Sequence, residues 1–314
     1  MLDLNLPIDT VEVKDLSIED FKQKYFKPQI PVILKGLAFE QPAGDKWQLD
    51  WFKETMGDVT VDLYDNRQKH HEYSTTTKPD VQMPFSEYID IIKKDENTPL
   101  RMFLFNLYKH NKNLKNDFAN PKYITGLMKG VGFMFFGGKD TDVRLHYDID
   151  NSNVILTQFG GKKRVVLFAP EYSDLLYRMP FNTHSNIDVF KASHEEYPAL
   201  KYVKGYDLIL EHGDAIFMPS GYWHYNTYLS GGMGVSYRMM PSNLPGLFKG
   251  MMNLGPMMLL DKMLNNVVGG PWIRYKTRLM DRRMERAVKK HSKNDTNSGN
   301  SIKTSAPKRE AVTA

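Results

Sequence analysis

The 314 residues include no cysteine. Disulfides, thiolate nucleophiles, iron–sulfur clusters and Cys-type zinc sites are therefore excluded, and any metal must be held by His, Asp or Glu. No run approaches the roughly 18–20 uncharged apolar residues that a membrane span needs. The opening Met1-Leu2-Asp3-Leu4-Asn5 lacks a basic stretch followed by an apolar one. No signal peptide is read there, and a cytoplasmic protein is expected. Internal repeats are absent too. A hydrophobic share of 41% and a charged share of 25% exclude wholesale disorder and a coiled-coil rod.

The net charge of +5 is unevenly spread. Residues 272–314 carry twelve Lys/Arg against four Asp/Glu, so the remainder is mildly acidic. The basicity belongs to a C-terminal extension and is no sign that the body binds nucleic acid.

Along the chain the texture changes twice. The first stretch is mixed. Ser17 caps a helix start, Pro31–Gly36 and Val59–Tyr64 read as strands, and Trp47–Met56 and Pro84–Lys94 read as helices. From Gly132 onward short strands follow one another, at 132–136, 143–147, 153–159, 163–168, 206–210, 215–218, 223–228 and 234–239. Eight short strands with few helices between them predict an antiparallel sandwich or barrel. Residues 170–202 interrupt them as a long irregular insertion with one helical turn at 172–177, the kind of segment that often serves binding. Beyond Pro241 the pattern is helical and rich in Met, ending in a helix from Pro271 to about His291 with basic residues on one side. Three segments result: a domain over 1–241, a helical pair over 242–291 and a basic tail over 292–314 expected to be disordered.

The chemistry-bearing residues are His146-Tyr147-Asp148 and His224. On a strand, residues i and i+2 face the same way. His146 and Asp148 then point together and Tyr147 points away. A second His from a neighbouring strand completes a face of two His and one carboxylate, which leaves coordination positions open and suits non-haem Fe(II). Two further H-x-E patterns, at His70-His71-Glu72 and His194-Glu195-Glu196, fall in a polar turn-like stretch and in the insertion, where alternation gives no support.

His224 ends Gly213-Asp214-(four residues)-Pro219-(three residues)-Trp223-His224. With the upstream H-x-D, this resembles the JmjC and cupin-like family of 2-oxoglutarate-dependent oxygenases, most of all its branch of asparaginyl hydroxylases acting on hypoxia-inducible factor and ankyrin repeats. The resemblance covers roughly residues 10–240. It includes Pro31-Val32-Ile33-Leu34-Lys35-Gly36, Pro42-Ala43 with Lys46-Trp47, Met83-Pro84-Phe85-Ser86-Glu87-Tyr88, and the strand Gly161-Lys162-Lys163-Arg164-Val165-Val166-Leu167-Phe168.

The resemblance implies a mainly β fold with helical additions. Its core would be a double-stranded β-helix (a cupin or jelly roll), with N-terminal α/β elements and C-terminal helices. It implies Fe(II) on His146, Asp148 and His224, and 2-oxoglutarate with its distal carboxylate on Lys163. Arg238, fourteen residues after His224, competes with Lys163 for that carboxylate, and Lys163 is favoured. Asn153, or alternatively Asn151, stands where the family has an Asn that contacts the cosubstrate. Ser236 shares a strand face with Arg238 and is expected to line the pocket. The chain departs from the family in three places. It has two more residues between His146 and Lys163, Val143 replaces a hydroxyl residue, and Arg101, Phe103 and Phe105 occupy a stretch where a tyrosine is expected.

The expected activity is that of an oxidoreductase, a dioxygenase hydroxylating a C–H bond of a protein, peptide or small molecule with release of succinate and carbon dioxide. Hydroxylation of an N-methyl group would make it a demethylase. The rivals are a non-oxidative metal-binding cupin and a catalytically silent dimeric interaction module. The Met-rich helices are expected to pack or to form a homodimer, and the basic tail leaves contact with nucleic acid or a membrane surface open.

Overall fold

The computed structural model describes residues 2–65, 67, 78–94, 96–124, 132–241 and 243–297. Its strands are β1 (Asp9–Glu12), β2 (Val32–Lys35), β3 (Thr60–Asp65), β4 (Val81–Pro84), β5 (Leu100–Phe105), β6 (Gly132–Gly137), β7 (Asp142–His146), β8 (Asn153–Phe159), β9 (Lys163–Phe168), β10 (Gly205–Leu210), β11 (Ala215–Met218), β12 (Trp223–Tyr228) and β13 (Gly232–Met239). They form a nine-stranded sheet in the order β1-β2-β11-β8-β13-β6-β5-β3-β4 and a four-stranded sheet in the order β10-β9-β12-β7. All pairs are antiparallel except β1 with β2. This is the jelly-roll arrangement expected of a cupin core.

Period-two alternation sorts the side chains into three layers. On β9, Val165 and Leu167 point between the sheets, where they meet Val154, Leu156, Ile216 and Met218 of the large sheet. Val166 and Phe168 point the other way, against Trp223, Tyr225 and the insertion. The outer face of the large sheet is covered by the helices Leu49–Met56 and Phe85–Lys93. There Trp47, Phe52, Phe85, Phe118, Phe136 and Phe159 pack mostly edge to face, the favoured geometry for aromatic pairs.

Two local devices fix the turns that lead to the site. Gly213 adopts φ +92°, a conformation that suits glycine. The next residue, Asp214, is buried and holds Lys35 of β2 at 2.6 Å. The Gly-Asp pair of the motif is thus a fastener between β11 and β2. The insertion is irregular, as expected, but not loose. Leu175, Leu176, Ile187 and Leu200 are buried in it. Tyr147 N–H donates to Thr183 O at 3.0 Å and Ser185 N–H to Leu145 O at 2.9 Å, so the insertion extends the small sheet past β7.

The C-terminal helices are Leu244–Met252, Met258–Val267 and Gly270–Asn297. The last runs beyond the His291 expected from sequence, so residues 292–297 are helical rather than part of a disordered tail. Its Met280, Met284 and Val288 pack on the insertion's core. Leu244, Phe248, Met251, Leu259, Met263 and Val267 remain exposed. Among the described residues no helix is long and apolar enough to cross a membrane.

Candidate metal and cosubstrate site

β7 and β12 are neighbours, and their register sets His146 directly opposite His224, with a bulge just after His224. The two imidazoles lie 4.1 Å apart between ring centroids. Strand β7 ends at His146, and the next two side chains keep its alternation. Tyr147 turns away and packs on Trp223, and Asp148 returns to the side of the histidines. One ligand atom from each of His146, Asp148 and His224 falls within 4.8 Å of the others, a group of three that could hold an ion.

The rings are prepared for that task. Nδ1 of His146 lies 2.8 Å from Arg144 O, and Nδ1 of His224 lies 3.2 Å from Tyr222 O. A carbonyl only accepts, so each Nδ1 carries the proton and each Nε2 presents a lone pair. Burial, and then the neighbouring His224, hold the His146 pKa well below its ordinary value; burial also lowers that of His224. Both rings are therefore neutral, the form that binds metal. Oδ1 of Asp148 accepts from Arg238 at 2.7 Å, and Arg238 also holds Asp150 at 2.9 Å. This outer pair fixes the carboxylate's orientation.

The triad opens into a cavity of about 1270 Å³ between the sheets, lined also by Lys163, Asn226, Tyr228, Ser236 and Arg238. Lys163 is 3% exposed, and its ammonium sits 4.2 Å above the centroid of the Tyr228 ring. No ion pair of Lys163 forms among the described residues, and burial lowers its pKa to about 7. Its tip reaches across to the large sheet. A Cβ on Gly234 of β13 would come within 2.8 Å of Lys163 Nζ, and one on Gly137 of β6 within 2.6 Å of the Tyr228 ring. These two glycines keep room for the cation and its supporting ring. Two residues along β13 from Gly234, the Ser236 hydroxyl is buried without a partner, as is Oδ1 of Asn226 on β12. Unsatisfied buried polar atoms are costly unless a ligand completes them.

The donor set fits a divalent transition metal: two imidazole nitrogens, one carboxylate and an open side. The orphaned Ser236 hydroxyl and the Lys163 ammonium fit an oxygen-rich anion beside it. Of the two cations that competed for that anion, Arg238 is already engaged by two aspartates and Lys163 by none. Asn153 is elsewhere. Its Oδ1 accepts from Gln29 at 2.9 Å and from Ser220 N–H at 3.0 Å, and its Nδ2 donates to Met240 O at 3.2 Å. Engaged in these three contacts and outside the cavity lining, Asn153 is a structural strut in place of the expected cosubstrate contact. Asn151 likewise bonds Ser220 and Gly246 and does not line the cavity. Asn226 and Tyr228 are wall residues that sequence reasoning missed, while His184 lines the cavity from the insertion. The alternation of β12 placed Asn226 and Tyr228 on the face of His224 and was the available signal. His194-Glu195-Glu196 lies exposed on the insertion, and His70-His71-Glu72 lies outside the described residues.

Comparison with known proteins agrees with the geometry. The family described as "Cupin-like domain" matches residues 18–240. Lysine-specific demethylase JMJ30 of Arabidopsis thaliana is 26% identical over 234 residues, covering 71% of this chain and 52% of that protein. tRNA wybutosine-synthesizing protein 5 of Danio rerio is 25% identical over 258 residues, covering 76% and 77%. Jumonji C domain-containing protein 5 of Drosophila melanogaster is 27% identical over 225 residues, covering 67% and 54%. The chain spans about half the length of the first and third of these relatives. With the matching profile spanning most of its length, the chain belongs to the cupin-like domain family, and proteins named for the JmjC domain are among its relatives.

Proposed function

We propose that the protein is an Fe(II)- and 2-oxoglutarate-dependent dioxygenase that hydroxylates a C–H bond of its substrate. The observation that carries this reading is the pairing, in one cavity, of the His146–Asp148–His224 face with a buried lysine that lacks an anion. When bound, Fe(II) with 2-oxoglutarate supplies the activation of dioxygen and the oxidising power for a C–H bond, with release of succinate and carbon dioxide. The chain's own residues do the rest. Nε2 of His146, Nε2 of His224 and the Asp148 carboxylate hold the metal on one face. Lys163 anchors the distal carboxylate of the cosubstrate, and the Ser236 hydroxyl donates to it from the facing sheet. Arg238 keeps Asp148 from rotating. The aromatic walls around the cavity, including Phe133 and Phe135, exclude water from the reacting centre.

A non-oxidative metal cupin would retain the triad but has no use for Lys163, so the unpaired lysine favours the oxygenase. Demethylation by hydroxylation of an N-methyl group uses the same residues. The names of the relatives include both lysine-specific demethylases and a tRNA wybutosine-synthesizing protein. The deciding experiment is an anaerobic optical titration with Fe(II) and 2-oxoglutarate. A visible charge-transfer band is expected in the wild type. It should vanish in Asp148→Ala and require at least about tenfold more 2-oxoglutarate in Lys163→Ala, the loss of a charge-assisted contact. Wild-type protein that takes Fe(II) yet shows neither band nor 2-oxoglutarate binding would refute the reading.

A further inference from the structure

Strand β5 belongs to the large sheet and repeats the alternation of its neighbours. Met102 enters the aromatic core, and Arg101 and Phe103 turn into the cavity. Register sets Arg101 opposite Tyr64 of β3 and Gly137 of β6. The wall around it is aromatic, formed by Tyr64, Phe103, Phe133 and Phe135. The guanidinium lies 5.0 Å from the Phe103 centroid. Its Nε and Nη1 are buried, and neither has a hydrogen-bond partner. Asp142 is the carboxylate whose charge acts on it, but that side chain accepts from the Tyr225 hydroxyl at 2.5 Å, and no ion pair of Arg101 forms among the described residues. Buried guanidinium donors left unused are costly unless an anion meets them.

The cosubstrate of the proposed reaction does not provide that anion. It has two carboxylates, one for the metal and one for Lys163. Lys163 and Arg101 also approach the cavity from different sheets, Lys163 from β9 of the small one and Arg101 from β5 of the large one. We propose that Arg101 recognises the primary substrate, and that this substrate brings a carboxylate or a phosphate into the cavity. A guanidinium fork binds either group through two parallel hydrogen bonds. The aromatic wall would hold the less polar part of the same molecule. A free lysine or arginine side chain, being cationic, is a poor occupant of this position. The inference rests on the oxygenase reading for its count of carboxylates.

The test uses the full-length protein in two titrations followed by calorimetry. The first adds 2-oxoglutarate to Mn(II)-loaded wild type, Arg101→Gln and Arg101→Lys. The second adds phenyl phosphate and benzoate to the 2-oxoglutarate-saturated proteins, with benzyl alcohol as the neutral control. The expected result is 2-oxoglutarate affinity equal within twofold in all three. At least one anion should bind wild type tenfold or more tightly than it binds Arg101→Gln, with Arg101→Lys between them and benzyl alcohol indifferent to the change. A tenfold loss of 2-oxoglutarate affinity in Arg101→Gln would assign Arg101 to the cosubstrate and overturn the proposal. Equal anion binding in wild type and Arg101→Gln would overturn it as well. Arg101→Met guards against a purely structural role: its melting temperature without anions should equal or exceed that of wild type, and a fall would mean that the guanidinium supports the fold instead. Failure of the oxygenase reading shows separately, as absence of 2-oxoglutarate binding in the wild type. Phenyl phosphate and benzoate titrated into the protein alone then still test whether Arg101 binds an anion.

Discussion

The β-core and the C-terminal helices each bury a lysine, and they treat it in opposite ways. Lys276, on the helix Gly270–Asn297, is 1% exposed and sits 2.7 Å from Oδ1 of Asp261 on the preceding helix. Trp272 donates its indole N–H to the same oxygen at 2.8 Å, and Asn265 stands 3.4 Å from the ammonium. That joint is closed, with charge, countercharge and hydrogen bonds all drawn from the chain. Lys163 in the cavity is buried to a similar degree and has a ring face but no carboxylate. The chain can evidently place an acid beside a buried lysine. Where it leaves the acid out, the countercharge is reserved for a ligand.

Removing the acid at the closed joint should have the largest effect. Asp261→Ala strands Lys276 without its partner, and breaking a buried pair costs about 3–5 kcal/mol. A urea unfolding curve should show a loss of that order. A neutral result would break the contrast, because Lys276 would then be no better compensated than Lys163. Next comes Lys163→Met, with two effects of opposite sign. Cosubstrate affinity should fall about 100-fold, close to 2.7 kcal/mol. The unloaded protein should become more stable, since an uncompensated buried charge has been replaced by an apolar side chain of similar length.

Acidity offers a third way to separate the two lysines. Burial lowers the pKa of Lys163 from 10.5 to about 7. Between those values the unfolded chain keeps a proton that the folded chain has released. Stability of the unloaded protein should therefore rise as pH climbs from 7 toward 10.5, by at most about 1.4 kcal/mol per unit. The penalty is present in full below pH 7. In Lys163→Met this part of the slope disappears, and the difference between the two unfolding curves over pH 6.5–9.5 isolates it. Cosubstrate binding should run the other way, weakening as pH rises, because the distal carboxylate requires the charged ammonium.

Sequence alone carried the residues whose role is set by local pattern. His146 and Asp148 follow from alternation, and His224 from a turn, a short apolar strand and a Pro-Gly corner. The eight strands after residue 131 lie within two residues of where turn signals put them. Roles set by distant partners were not legible. Asn153 sits at a strand start as a cosubstrate ligand would, but Gln29 and Ser220, 124 and 67 residues away in the chain, take its hydrogen bonds. Arg101 and Asn226 show the same limit. Alternation says which face a residue takes, and only the packing of one sheet on the other says what that face meets. Asn153→Ala tests the correction. It should cost about 1–3 kcal/mol of stability, the price of leaving buried partners unsatisfied, and leave 2-oxoglutarate affinity unchanged.

The smallest effect, and the finest test of the contrast, lies at Tyr228. Its ring is the partner the chain does give Lys163, at 4.2 Å, and its hydroxyl donates to Phe135 O at 3.1 Å. A ring face under an ammonium contributes about 0.5–2 kcal/mol, too little to replace a carboxylate but enough to aim the cation. Tyr228→Phe keeps the face and loses only the hydroxyl contact. Tyr228→Leu loses the face. If the ring positions Lys163 for an incoming anion, 2-oxoglutarate should bind Tyr228→Phe nearly as tightly as wild type and Tyr228→Leu about twofold to thirtyfold more weakly, the affinity equivalent of that range. Equal affinity in both variants would mean that the lysine finds its carboxylate unaided. The ring would then be mere packing, and the two lysines would differ only in the acid that one has and the other awaits.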